Sequence, residues 1–256
     1  MKDENFKDDL YLKRFYLSKE IPKDNYLSDL PVISHLRKMG EIQLSKPVTF
    51  FVGENGVGKS TLIEGIAVAM GFNPEGGSLN FNFSTRESHS NLHEYLRISR
   101  GAKKKTDGFF LRAESFYNVA SNIDELDSEA GLGSPIISSY GGISLHEQSH
   151  GESFMSLVEN RFSGNGLYIL DEPESALSPM RLMTLMCHLK ELVDKNSQFI
   201  ISTHSPILLT FPEADVIEIR KDRIARVDYK DTDHFFITKR FMDAPEKMIQ
   251  DLFGSG

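Results

Sequence analysis

Gly53-Glu54-Asn55-Gly56-Val57-Gly58-Lys59-Ser60, followed by Thr61, is the stretch whose reading decides the fold. It has the pattern G-x-x-x-x-G-K-[ST]. It stands between an apolar run ending at Val52 and a segment with apolar residues at Leu62, Ile63, Ile66, Ala67 and Met70. That spacing predicts a helix with Gly71 as its stop, and the run before the loop reads as a buried strand. Strand, glycine-rich loop and helix in this order predict a phosphate cradle. The glycines let backbone N–H groups turn toward anionic oxygens, and the helix N-terminus adds a favourable dipole. On this reading Lys59 reaches the β- and γ-phosphates, Ser60 offers its hydroxyl oxygen to Mg2+, and Thr61 contacts the α-phosphate.

A second apolar run, Leu167-Tyr168-Ile169-Leu170, ends in Asp171-Glu172-Pro173. A buried strand with two carboxylates at its end suits a magnesium partner at Asp171, held through water beside the loop serine. Glu172, one residue on, is placed to orient and polarise a water attacking the γ-phosphate.

Outward from these two points the chain alternates between strand-like and helix-like segments, which predicts an α/β fold with a mostly parallel sheet. Residues 9–20 read as a strand and Asp29–Gly40 as a link or short helix. Glu41–Val52 reads as a hairpin turning near Pro47, and Gly108–Phe116 as a strand. A helix is expected over Leu92–Ser99 inside a polar stretch from 73 to 107. Further helices are expected from Gly151 to Arg161, from Met180 to Lys195 and from Pro245 to Phe253. A buried strand is expected at Gln198–Ser202 and a strand pair near the C-terminus.

Composition bounds the partners. With 29 Lys and Arg against 37 Asp and Glu, the formal charge is -8, which disfavours a general basic coat for nucleic acid but allows a local patch. Lys103–Lys105 with Arg97 and Arg100 is the candidate patch. The single cysteine, Cys187, cannot form an intramolecular disulfide and reads as core filler on an amphipathic helix. The N-terminal segment lacks the apolar core of a signal peptide, and no run of apolar residues is long enough to span a bilayer. A cytoplasmic protein is expected.

Ser149-His150-Gly151-Glu152, which ends 19 residues before Asp171, and Ser202-Thr203-His204-Ser205-Pro206 complete an ordered set with the two motifs above. Together they resemble the ABC-type ATPase superfamily between about Val48 and Pro206. The nearest resemblance is to its soluble RecF, SMC and SbcC-like group and to small single-domain ATPases labelled "AAA family". The resemblance implies a P-loop NTPase fold of ABC-ATPase type, with a mostly parallel central sheet, an antiparallel β edge and a helical insertion. It implies one domain over residues 1–256, with the insertion at about 73–150. It further implies ATP and Mg2+ as ligands and hydrolysis in a head-to-tail dimer. In that dimer the Gly53–Thr61 loop of one copy faces Ser149, Gly151 and Glu152 of the other, and His204 hydrogen-bonds the γ-phosphate. Glu174–Ser178 resembles the D-loop, with Ser178 where the family has Asp. The signature departs from Leu-Ser-Gly-Gly-Gln. Glu114 is the nearest candidate for the Q-loop position, and Phe15 or Tyr16 for an adenine-stacking aromatic.

An ATP-driven switch that clamps DNA or a protein partner is an alternative function, and a transporter ATPase subunit is another. His146-Glu147-Gln148-Ser149-His150 also reads as H-E-x-x-H, which on a helix would offer two histidines to Zn2+ with Glu147 as general base. No third ligand stands at a recognisable spacing, and the signature reading accounts for the same residues.

Overall fold

The computed structural model describes residues 10–78, 90–112 and 136–254, together with residues 120, 121, 123, 124 and 127. In chain order the strands are β1 (Leu12–Leu17), β2 (Glu41–Gln43), β3 (Val48–Val52), β4 (Gly77–Ser78), β5 (Leu96–Arg100), β6 (Asp107–Arg112), β7 (Gly166–Asp171), β8 (Gln198–Ser202), β9 (Asp215–Ile219) and β10 (Ile224–Val227). The helices are α1 (Pro31–Met39), α2 (Lys59–Ala69), α3 (His150–Arg161), α4 (Pro179–Asp194), α5 (Asp233–Asp243) and α6 (Pro245–Phe253).

The central sheet has seven strands in the order β10-β9-β3-β8-β7-β6-β4. Its five inner strands run parallel, and β10 and β4 close its two edges in the antiparallel sense. Parallel strands covered on both faces read as continuous apolar runs, and these do. Neighbouring residues face opposite sides. Phe50, Phe109, Tyr168, Leu170, Phe199 and Ile201 pack with α3 and α4, whereas Phe51, Phe110, Leu167, Ile169 and Ile200 pack with α1 and α2. The sheet therefore separates two cores, with α2 on one side and α3 on the other. That separation governs the site.

A smaller antiparallel sheet, β2-β1-β5, lies over the α2 side. Gln198 ties it to the central sheet. Its buried side-chain amide accepts from Leu12 N–H and donates to Leu12 C=O, both at 2.9 Å, as a strand neighbour would.

Two expectations about elements are corrected here. Glu41–Val52 is not a hairpin, because β2 pairs with β1 whereas β3 runs parallel to β8 and β9. Leu92–Ser99 is not a helix. A 3-10 turn at Asn91–Glu94 leads into β5, whose residues pair with β1. Within 73–150, β4 and β6 join the central sheet and β5 the small one, so this stretch is woven into both sheets. Cys187 is also corrected. It is exposed, because α4 buries Leu182, Leu185, Leu189 and Leu192, and position 187 falls on another face. Among the described residues no helix is long and apolar enough to cross a membrane.

Candidate functional site

The C-terminal ends of the parallel strands bring the predicted residues together, the edge at which open α/β sheets gather ligands. Arg112, Asp171 and Ser202 are register partners across β6, β7 and β8, and Phe51 of β3 completes the row. The loop from Gly53 to Gly58 starts one residue past β3 and delivers Lys59, Ser60 and Thr61 as the first turn of α2.

The loop's shape depends on its glycines. Gly53, Gly56 and Gly58 have φ of 149°, 82° and 94°. A Cβ on Gly53 would stand 2.1 Å from the Ile219 carbonyl oxygen of β9, and one on Gly58 would stand 2.7 Å from Val32 Cγ1; nothing lies within 4 Å of one on Gly56. Gly53→Ala is therefore expected to lower stability by about 2 kcal/mol or more, through backbone displacement as well as strain. Gly56→Ala is expected to cost only about 1 kcal/mol from its left-handed φ. Denaturant unfolding of the two variants checks the difference. Glu54 and Asn55 sit exposed on the loop, and Val57 is buried beneath it.

Lys59 is buried, and its ammonium donates to the carbonyls of Gly53 (2.9 Å) and Glu54 (3.0 Å). Burial lowers its pKa, while Glu172, Asp171 and Glu174 pull in the opposite direction. Asp171 is buried and accepts from the hydroxyls of Ser202 and Ser60, with Arg112 Nε at 3.6 Å. Burial raises its pKa above the usual carboxylate range, against the lowering effect of Ser202 and Arg112. Glu172 takes a left-handed backbone, φ 52° and ψ 55°, held by its N–H donating to Ser202 C=O and Oγ, each at 3.1 Å. Such a conformation is unfavourable for a non-glycine residue and marks a constrained position. It swings the partly exposed Glu172 carboxylate to 3.4 Å from His204 Nε2.

Glu174, in the turn after Glu172, accepts from the His204 backbone N–H, and its Oε2 is buried without a hydrogen-bond partner among the described residues. Burial raises its pKa. His204 itself is held down to about 4, first by burial, then by Lys59 and His234. It is therefore neutral at pH 7. A histidine whose folded pKa lies below its unfolded value favours the folded state above that unfolded value. It withdraws the benefit as pH falls from about 6.5 toward 4. The raised Asp171 and Glu174 act with the opposite sign. His204→Gln should thus show a shallower fall in melting temperature than the natural chain between pH 6.5 and 4, measured by thermal scans in matched buffers.

Ser149, Gly151 and Glu152 are placed elsewhere. Ser149 is the N-cap of α3, and the Glu152 carboxylate accepts from the Ser149 N–H (3.1 Å) and hydroxyl (2.6 Å). Glu152 also pairs with Arg181 of α4 at 3.3 Å. A Cβ on Gly151 would stand 2.8 Å from the Ala176 carbonyl oxygen. This helix start packs on the turn after Glu172, across the sheet from α2. Ser178, where the family carries Asp, is the N-cap of α4 and accepts from Arg181 N–H. His146 lies in the 3-10 turn Leu145–Glu147, whereas His150 opens α3 after its Ser149 cap. The two histidines do not share a helix face, so the zinc reading loses its geometry.

Other sequence readings are also settled or bounded. Phe15 is fully buried against Phe51 and cannot stack on a base. Lys105 folds back over the Phe72 ring and donates to Met70 C=O, with its pKa lowered to about 8 by burial, so it leaves the candidate basic patch. Glu114 lies outside the described residues.

Three residues that the sequence did not single out belong to the site. Arg112 bridges Asp171 and the buried Glu64 of α2, the latter at 2.6 Å. His234, at the start of α5, reaches both His204 and Gly53.

The loop N–H groups at the start of α2 and the Lys59 ammonium suit a polyphosphate, and the Ser60–Asp171 pair offers the hard oxygen ligands Mg2+ takes. Sheet order and loop together define a P-loop nucleoside-triphosphatase fold. Residues 32–133 match a family model described as "AAA domain", and residues 143–210 one described as "AAA domain, putative AbiEii toxin, Type IV TA system". The fold is similar to an ATP-binding cassette of an ABC transporter, with TM-score 0.51 and 17% identity over 87% of this chain and 94% of that one. It is also similar to a metal-chelate type ABC transporter in an inward-facing conformation, with TM-score 0.50 and 14% identity over 90% and 88%. No curated protein matches the chain. The two AAA-domain matches and the structural likenesses agree on a P-loop nucleoside-triphosphatase fold of the kind seen in ABC-type cassettes.

Proposed function

We propose that this chain binds ATP with Mg2+ at Gly53–Thr61 and Asp171 and hydrolyses it in a head-to-tail dimer. The observation that carries the reading is the convergence of Lys59, Ser60, Asp171, Glu172 and His204 on one sheet edge. Lys59 and the α2 N-terminus hold the phosphates. Bound Mg2+ would neutralise charge on the β- and γ-oxygens, with Ser60 and Asp171 as its protein anchors. Glu172 accepts a hydrogen bond from the attacking water and aligns it. As the new P–O bond forms and the bond to the β-phosphate oxygen breaks, ADP leaves and the water's proton passes to Glu172 or to the phosphate. His204 donates from Nε2 to the γ-phosphate and steadies Glu172.

The sheet supports the dimeric reading. One nucleotide at the α2 N-terminus cannot also meet the α3 N-terminus of the same chain, because the seven-stranded sheet separates the two cores. A second copy brings Ser149, Gly151 and the α3 dipole to the γ-phosphate. There the Ser149 hydroxyl would exchange its bond to Glu152 for one to phosphate.

Phosphate release by purified protein tests the reading. Turnover of ATP should require added Mg2+ and rise faster than linearly with protein concentration at low concentration, as a dimeric catalyst does. Strictly linear, Mg2+-independent turnover would contradict it.

A further inference from the structure

None of the residues of α5 is buried, yet its first turn enters the site. The start of this helix is fastened from several sides. Thr232 is fully buried, caps the helix by accepting from Phe235 N–H, and donates to Tyr229 C=O at 2.6 Å. Asp233 pairs with Arg220 at 3.2 Å, and Arg220 forks onto the buried Glu218 of β9 at 2.7 and 3.0 Å. The Tyr229 and Phe235 rings meet edge to face. The result is a fixed placement of His234. Its Nε2 lies 3.2 Å from His204 Nδ1 and 3.4 Å from the Gly53 carbonyl oxygen, with the two imidazoles edge to face.

Counting protons along this chain selects one arrangement. Suppose His234 Nε2 were the bare nitrogen. Its lone pair would face the Gly53 carbonyl oxygen, and His204 would carry its proton on Nδ1. The bare Nε2 of His204 would then face the Glu172 carboxylate at 3.4 Å. Both contacts would set lone pair against lone pair. With the proton on His234 Nε2, both contacts turn favourable. His234 donates to Gly53 C=O and His204 Nδ1, and His204 carries its proton on Nε2. That nitrogen is buried and has no hydrogen-bond partner of good geometry among the described residues, as a donor reserved for a ligand would be.

We propose that His234 is a positioning residue that fixes His204 in the Nε2–H tautomer, so that the C-terminal helix α5 sets the donor aimed at the γ-phosphate. The pKa of His204, held near 4, keeps it neutral at pH 7, so the choice between tautomers is real there. The role rests on the hydrolytic reading given above. It also gives α5 a means of acting on turnover, because tilting its first turn would release the tautomer without touching the phosphate loop.

The test pairs kinetics with a readout that does not need turnover. His234→Ala and His234→Phe should lower kcat by about 10- to 100-fold, as loss of an orienting partner does. The KM for ATP should stay within about threefold, because phosphate binding is intact. His234→Gln, which restores an N–H donor of similar reach, should recover much of kcat. In 15N-imidazole spectra at pH 7, His204, assigned by its loss in His204→Gln, should show a protonated Nε2 in the natural chain. It should show a tautomer mixture in His234→Phe, which keeps a ring in place. Unchanged kcat in the Ala and Phe variants together with an unchanged His204 tautomer would overturn the proposal. A natural chain without ATP turnover would sink the hydrolytic reading instead, while the spectra would still decide what His234 does.

Discussion

Lys59→Ala is expected to weaken MgATP binding at least about 100-fold and to abolish turnover with it. The lost ammonium is a desolvated charge aimed into the phosphate loop, and truncating one partner of such a pair costs about 2–5 kcal/mol. Its present bonds to the Gly53 and Glu54 carbonyls show that it already lies along the inner wall of the loop. Its removal acts on the protein too. Asp171 and Glu174 are buried carboxylates near the Lys59 ammonium, and its removal takes an attractive charge away from both. The proposed magnesium anchor at Asp171 would lose that neighbouring charge, so the variant should lose Mg2+ dependence along with affinity. Calorimetric titration with a non-hydrolysable ATP analogue, with and without Mg2+, measures both. Retained affinity within about threefold would remove the loop from the binding site.

Glu172→Gln is expected to reduce turnover at least about 100-fold while leaving ATP affinity within about threefold. Gln keeps the side-chain length and the left-handed turn but cannot draw the water's proton. Its amide oxygen can still face His204 Nε2, but the negative charge now at 3.4 Å from that nitrogen is lost. The backbone that aims it should be unaffected, because the Glu172 N–H bonds to Ser202 do not involve the side chain. Single-turnover phosphate release separates this loss of chemistry from any change in binding. A variant that turns over at the natural rate would assign the water to another group.

How much of this was legible beforehand follows from where each signal lies along the chain. The phosphate loop was readable because glycine positions, lysine and serine are local, and their flanking strand and helix follow within a dozen residues. Asp171 and Glu172 were readable for the same reason, as the polar end of an apolar run. The hairpin expected over Glu41–Val52 failed because local alternation and a proline turn do not say which sheet a strand enters; β2 finds its partner in β1, behind it in the chain. The helix expected over Leu92–Ser99 is replaced in large part by β5, because its strand partner, β1, lies some eighty residues away and leaves no local signal. His234 carried no local signal at all. Its meaning depends on Gly53, 181 residues earlier, and on His204, 30 residues earlier. Arg112 is similar, since its carboxylate partners lie on α2 and β7. Phe15 shows the converse error. Phe15, like Tyr16, reads as a base platform from its aromatic type alone, but the alternation of β1 turns Phe15 into the core.

The central claim is that one chain holds half a site. α2 and α3 pack on opposite faces of the central sheet, so under the proposed function the phosphate loop and Ser149–Glu152 would meet between two copies. The direct measurement is the solution mass of the Glu172→Gln variant by light scattering during size-exclusion chromatography, with and without saturating MgATP. The account predicts a species of twice the 28.9 kDa chain mass with MgATP, and one that dissociates when Lys59→Ala is added. A variant that binds MgATP and still elutes at 28.9 kDa would contradict it.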